Sequence, residues 1–454
     1  KRGISIQLGY STVWCLIGGM LTSSYIQHSC KVDIHKIRVP LDPTGASFPG
    51  RQIEVAARVV TAPGGENNPY LLFLQGGPGG QGPRVGDFRD GWSGEALKHY
   101  RLVLMDQRGT GLSTPLSAEA VTAEDDPALF LKMFLQNQIL FDAEALRDSL
   151  AGDQKWATLG QSYGGFLTLG YLSQYPDAVS ESYITGGLPS LGSVDGIYHH
   201  TYPLTAARNR VFFDRYEEDQ QVIREVAAHL ANHEEHLPTG ERLSPTRMRS
   251  VGAALGGAMS FDLLHYLWED PFESQAGELR LTPRFLAQAG ARLSQAEAPL
   301  YWVLQEAIYG QTTVDQTGEP TNWAAERLSA EYEGFHLDAD PLDTSSPWYL
   351  TGEHAFRALI SEDPATAPLL DTVDQLATDT DWPQTYDEDA LAASDVPVAA
   401  LMYEEDMFVP RVLSQRTADL LPQARTWVTN RMQHDGLRAG GAKVFSGLYD
   451  LMRD

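Results

Sequence analysis

The chain has 454 residues, 43% hydrophobic and 21% charged, which fits a folded protein of roughly two domains rather than a disordered one. Acidic side chains outnumber basic ones 60 to 34, and the net charge of −26 argues against nucleic acid or an anionic membrane as partner, since both need a basic surface. Two cysteines, Cys15 and Cys30, leave one disulfide open but no disulfide framework, and no CxxC or HExxH spacing writes a local metal site.

The N-terminus opens on Lys1-Arg2 and the apolar "STVWCLIGGMLTSS", which reads as a leader remnant or a structured arm and is too short to span a bilayer. "DIHKIRVPL" (33–41) and "QIEVAARVV" (52–60) alternate as the strands of a half-exposed hairpin do. The compact apolar runs "YLLFLQ" (70–75), "RLVLMD" (101–106), "KWATLGQ" (155–161) and "ESYITGG" (181–187) suit a buried parallel sheet. "AEALRDSLAG" (143–152) and "FLTLGYLSQY" (166–175) carry helical periodicity around the third of these runs, so the alternation predicts an α/β fold with crossover helices on both faces. Strand signals then stop. Residues 190–390 read as helical, most clearly in "RNRVFFDRYEEDQQVIREVAAHLANH", "MSFDLLHYLWE" and "PLYWVLQEAIYG", before strands return at "VPVAALMY" (396–403) and "RTWVTN" (425–430). The expected organisation is an arm of unknown role (1–32), a sheet domain in two parts (33–189 and 395–454) and a helical cap inserted between them (190–394).

"LGQSYGGF" (159–166) sets Ser162 in G-x-S-x-G, between a predicted strand and a predicted helix. That context suits a nucleophile elbow, where glycines at 160, 164 and 165 let backbones pack closely and the helix N-terminus favours developing negative charge. A serine hydroxyl needs a base, and on this fold the order is serine, acid, histidine. "VPVAALMYEEDMFVP" places Asp406 at a strand end, where it is favoured over Glu404, Glu405 and Asp435 because it closes the apolar run and begins the turn. "TNRMQHDGLR" places His434 in the loop after the last strand. The N–H of Tyr163 is the expected first oxyanion donor, and the glycine-rich "QGGPGGQGP" (75–83) the source of the second. That loop lacks the Lys-Ser/Thr of a phosphate-binding P-loop.

Five motifs in order, "QGGPGG" (75–80), "MDQRGTGLS" (105–113), "GQSYGG" (160–165), "ITGGLP" (184–189) and "HDGLR" (434–438), resemble the prolyl aminopeptidases, or proline iminopeptidases, of the α/β-hydrolase superfamily. The resemblance runs from about residue 33 to the end, and the pieces "TNWAAERL", "WYLTGEHAF" and "TDWPQTYD", read as helical, are similar to larger members with an expanded cap. It implies a serine exopeptidase that releases N-terminal proline through a prolyl-enzyme, with Ser162 as nucleophile, His434 as base and Asp406 as its orienter. It assigns the oxyanion donors to Tyr163 and Gly77, and the substrate's amino group to the cap glutamates Glu306 and Glu353. "DQRGTGLS" reads as a bracing loop in which Asp106 and Arg108 pair. Many members carry His-Gly-Gly-Pro-Gly where this chain has Gln75, which touches the loop's supporting hydrogen bonds rather than its backbone donors. Peptides with N-terminal proline are the expected partners, no cofactor or metal is expected, and the cytoplasm is the expected location with secretion as the alternative. The rival readings are an esterase or amidase of the same fold and a non-catalytic binding protein built on it.

Overall fold

The computed structural model describes residues 3–8, 11–16, 19–257, 260–310 and 319–454, with side chains from residue 19 onward. Strands β1 (Gly3–Leu8) and β2 (Ser11–Leu16) pair as a separate antiparallel hairpin. The sheet proper is built from β3 (Met20–Gln27), β4 (Cys30–Pro40), β5 (Gln52–Thr61), β6 (Tyr70–Leu74), β7 (Arg101–Asp106), β8 (Trp156–Gln161) and β9 (Val179–Thr185). A small cap hairpin, β10 (Phe272–Gln275) and β11 (Glu278–Leu281), follows, and then β12 (Val398–Tyr403) and β13 (Ala424–Thr429). Among the described residues the sheet order is β13-β12-β9-β8-β6-β7-β5-β4-β3. The six strands from β13 to β7 run parallel, and β5, β4 and β3 continue antiparallel.

This is the mostly parallel sheet of an α/β-hydrolase fold, and the strand runs predicted from sequence all take part in it. Pairing begins with β3 at Met20, ahead of the arm boundary placed at 32. The Cys15 side chain, half of the disulfide left open by the sequence, lies outside the described residues, and Cys30 is buried. No helix among the described residues is long and apolar enough to cross a membrane.

Strand alternation feeds two cores. Leu71 and Phe73 of β6 face Trp92, Phe445 and Leu448, whereas Leu72 and Leu74 face Ile139, Leu167 and Leu169. Helices Gly91–Ala96 and Ala442–Leu451 cover the first face, and helices Gln136–Ala151 and Tyr163–Gln174 the second. Every residue of β8 is buried, so the strand that delivers Ser162 is fixed on both faces and both edges.

The cap departs from the all-helical expectation in four places. The periodic stretch before residue 233 is two helices, Val194–Arg215 and Glu217–Asn232, broken at Tyr216. β10 and β11 form a hairpin whose turn residues Ala276 and Gly277 both take positive φ (53° and 87°), the conformation of a two-residue hairpin turn. "WYLTGEHAF" and "TDWPQTYD" are not helical. In the first, Asn209 pairs with both the N–H and the C=O of Leu350 (2.9 Å each) and the Thr351 N–H donates to the Arg249 carbonyl (2.9 Å), so the backbone finds its partners outside a helix. In the second, Pro383 lacks an amide hydrogen and disfavours helical backbone before it.

The expected Asp106–Arg108 pair does not form. Arg108 is fully buried in a two-pronged bond to Asp142 (2.7 and 2.6 Å) and donates to the Leu41 and Met133 carbonyls (2.7 and 2.8 Å). Asp106 instead takes Arg84 on both oxygens (2.6 and 2.8 Å) and the amides of Gly82 and Leu112. The two side chains are neighbours in sequence but leave the strand end on opposite sides. Arg108→Met strands the Asp142 charge in the core and is expected to cost about 3–5 kcal/mol, seen as a lower midpoint of urea denaturation. The double variant Arg108→Met/Asp142→Leu should recover part of that loss.

Candidate active site

The turn after β8 has no space for side chains. A Cβ on Gly160 would lie 2.2 Å from the Gly164 carbonyl oxygen, one on Gly164 1.8 Å from the Leu74 oxygen, and one on Gly165 2.3 Å from the Gly187 oxygen. Under that compression Ser162 takes φ 57° and ψ −127°, a conformation L-residues rarely adopt. The Ser162 N–H donates to the Thr185 carbonyl at the end of β9 (3.0 Å), and helix Tyr163–Gln174 starts at the next residue. Ser162 therefore caps a helix N-terminus, where the first amides have no acceptor within the helix. One of these is the Tyr163 N–H. The side chain of Ser162 is partly exposed although the strand before it and the helix after it are buried.

Asp406 lies just beyond β12, 1% exposed, with Oδ1 accepting the Phe408 and Val409 amides (2.9 and 3.0 Å). Its Oδ2 faces His434 Nδ1 at 2.8 Å. The carboxylate accepts, so Nδ1 carries the hydrogen, and Nε2 is buried with no hydrogen-bond partner among the described residues. Burial pulls the His434 pKa down, but the charge and hydrogen bond of Asp406, together with Glu353 and Asp435, outweigh it and hold the imidazole above its ordinary value. Two contacts tie this pair to the serine turn. The Gln161 amide reaches the His434 carbonyl (3.4 Å), and a Cβ on Gly186 would lie 3.3 Å from Asp406 Oδ2 while one on Gly187 would lie 2.5 Å from the Ser162 oxygen. The competing acids point elsewhere: Glu404 pairs with Arg411 at 3.0 Å, and Glu405 is exposed, 3.9 Å from Arg208.

The glycine loop after β6 closes a second side. A Cβ on Gly76 would lie 2.9 Å from Ser162 Cβ, so this backbone runs directly past the serine. Gly77 follows with φ 67°, and a Cβ there would come within 3.2 Å of the Tyr301 ring. The Gln75 carbonyl accepts from the Gln107 side chain (3.0 Å), so the loop is supported from the strand end of β7.

The cap supplies the rest. The Gly256 carbonyl accepts the His434 N–H (3.0 Å), so the histidine loop is bonded to the cap. Glu353 is partly exposed in the extended segment that sequence reading took for a helix. Burial raises its pKa; His434 and a hydrogen bond from Tyr301 lower it, and Asp406 raises it, which places the carboxylate in the field of the His434–Asp406 pair. Glu306 is placed differently. Both its oxygens are taken by backbone amides, Ala324 at 3.1 Å and Ala325 at 2.8 Å, and it caps the short helix Ala324–Leu328. Burial pushes its pKa up to about 7 against those amide bonds and a Thr321 hydrogen bond. The structure thus gathers Gly77, Ser162, Tyr163, Asp406 and His434 beyond the carboxyl ends of the parallel strands, brings Glu353 to them from the cap, and commits Glu306 to a helix start.

Tyr301 escaped the sequence reading. It sits in "PLYWVLQEAIYG", whose apolar spacing signals a packed helix, and nothing in that spacing says that one aromatic ring faces the loop after β6.

Residues 69–275 match the family model described as the alpha/beta hydrolase fold. The chain is 38% identical over 390 residues to a proline iminopeptidase of Aeromonas sobria, covering 85% of this chain and 88% of the relative. It is 28% identical over 400 residues to a proline iminopeptidase of Aspergillus aculeatus, covering 85% of each. With a relative this similar along nearly its whole length, the chain belongs to the proline iminopeptidase family, on the α/β-hydrolase fold.

Proposed function

We propose that this protein is a serine exopeptidase that releases N-terminal proline from peptides through a prolyl-enzyme intermediate. The observation that carries the reading is the pairing of two features: a histidine oriented by Asp406 whose Nε2 has no partner among the described residues, and the partly exposed Glu353 beside it. A plain esterase has no use for a carboxylate next to its base. A peptide's N-terminal imino group is cationic at neutral pH, and a carboxylate there pairs with it.

In this reading the substrate docks with its ammonium on Glu353, leaving Glu306 to its amide partners. Ser162 Oγ attacks the prolyl carbonyl as Nε2 of His434 takes the hydroxyl proton, and Asp406 stabilises the imidazolium through Nδ1. The N–H groups of Tyr163 and Gly77 hold the oxyanion, each worth about 3–4 kcal/mol in the transition state. His434 then protonates the leaving amine, and water releases proline from the acyl-enzyme by the same steps in reverse. A carboxylate waiting where the chain must begin explains cleavage after a single residue.

The deciding experiment is steady-state kinetics on aminoacyl arylamides, an N-acetylated proline analogue and a short-chain nitrophenyl ester. Preference for the free proline arylamide, lost on acetylation, is expected; strong ester preference overturns the reading. Ser162→Ala should lower kcat by at least about a thousandfold without shifting the thermal midpoint. Glu353→Gln should lower kcat/KM for the proline arylamide by about 100-fold. The same variant tests the electrostatics. Because His434 must be neutral to act as base and its pKa is raised, kcat/KM falls as pH drops through a value above the ordinary imidazole value of about 6.5. Removing the Glu353 charge should move that acid limb to lower pH; an unmoved limb contradicts the assignment.

A further inference from the structure

We propose that Tyr301 is a positioning residue that fixes the distance between the site for the substrate's amino group and the oxyanion loop, its hydroxyl bound to Glu353 and its ring seated on Gly77. This rests on the roles given to Glu353 and Gly77 above and adds the strut between them.

The Tyr301 hydroxyl donates to Glu353 Oε1 at 2.5 Å, while ring carbons Cε2 and Cδ2 stand 3.2 and 3.3 Å from where a Gly77 Cβ would be. The ring thus fills the space a side chain on Gly77 would need, over a residue whose φ of 67° only glycine adopts without strain. Leu300 does the same one step along, 2.3 Å from a Cβ on Gly79, so two successive cap residues rest on the loop after β6. Burial and the neighbouring Glu353 charge hold the Tyr301 phenol well above its ordinary pKa, and it remains a donor across the working pH range. With Oε1 engaged by Tyr301, in this proposal the substrate's ammonium is left to Oε2 of Glu353.

The chemistry demands such a strut. In a prolyl substrate only the α-carbon separates the ammonium nitrogen from the scissile carbonyl. The anion that holds one end and the amides that hold the other must keep a fixed spacing, or the oxyanion misses its donors. Glu353 lies in an extended segment and Gly77 in a glycine-rich loop, two backbones without helical or strand bonds to hold that spacing. Tyr301 touches both.

The test is a double-mutant cycle of Tyr301→Phe and Glu353→Gln, with kcat and KM measured on the proline arylamide and on a nitrophenyl ester that has no amino group. Tyr301→Phe keeps the ring and removes only the hydroxyl. It should lower kcat/KM on the arylamide about tenfold more than on the ester, the size expected for a lost hydrogen bond to a charged group. In the Glu353→Gln background the same change should have little further effect. Tyr301→Leu, which also removes the ring from Gly77, should lower kcat on both substrates. Additive effects of Tyr301→Phe and Glu353→Gln, or equal losses on arylamide and ester, overturn the proposal. If the wild type cleaves the proline arylamide and Ser162→Ala does not, such a result removes the strut alone and leaves the exopeptidase reading standing.

Discussion

The molecule depends on a backbone packed against backbone with nothing between. At the end of β8 three glycines, 160, 164 and 165, lie so close to the carbonyls of Gly164, Leu74 and Gly187 that a single methyl group at any of them has no place to go. The sheet is drawn tight there because β8 is held on both edges, by β6 and β9, and buried on both faces. The chain must reverse within that space, and it does so by forcing Ser162 into positive φ. Strain of this kind persists only where the surroundings over-determine it. Here they also set what surrounds the hydroxyl, since the backbones that exclude side chains bring the loop after β6 on one side and the end of β9 on the other.

The second constraint is electrostatic. Asp406 uses one oxygen to accept two amides of its own turn and the other to accept His434, so its orientation is settled before any substrate arrives. Glu353 then places further negative charge near the same imidazole, and the cap, rather than the sheet domain, supplies it. The cap reaches the histidine a second way, through the Gly256 carbonyl. It is accordingly part of the site's frame and not a separate cover laid over it.

The sheet was legible because buried parallel strands announce themselves as short apolar runs and because the glycines around Ser162 have one steric explanation. Asp406 could be told from Glu404 and Glu405 by its place at the strand's end, and the structure puts it alone of the three against His434. What could not be read was side-chain direction across distant segments. Asp106 and Arg108 are near neighbours, yet each satisfies itself in a different wall of the fold, Arg108 on Asp142 and Asp106 on Arg84. Glu306 and Glu353 looked equivalent as acids in a helical cap. Only the fold reveals that one has spent both oxygens on the amides of a helix start and that the other lies on an extended segment held by Asn209 and Arg249. Local periodicity reports which face is apolar, not which neighbour a polar tip will find.

The pairing of β12 with β9, Val398 to Ser182 and onward, has a consequence for how the chain matures. β9 is finished before the cap is synthesised, yet the neighbour that covers its outer edge emerges only after the cap has been made. On the ribosome a strand edge with open amides and carbonyls must wait through that interval, inviting contact with other nascent chains. Joining segments so far apart in sequence also carries the loop-closure penalty that slows assembly of non-local sheets.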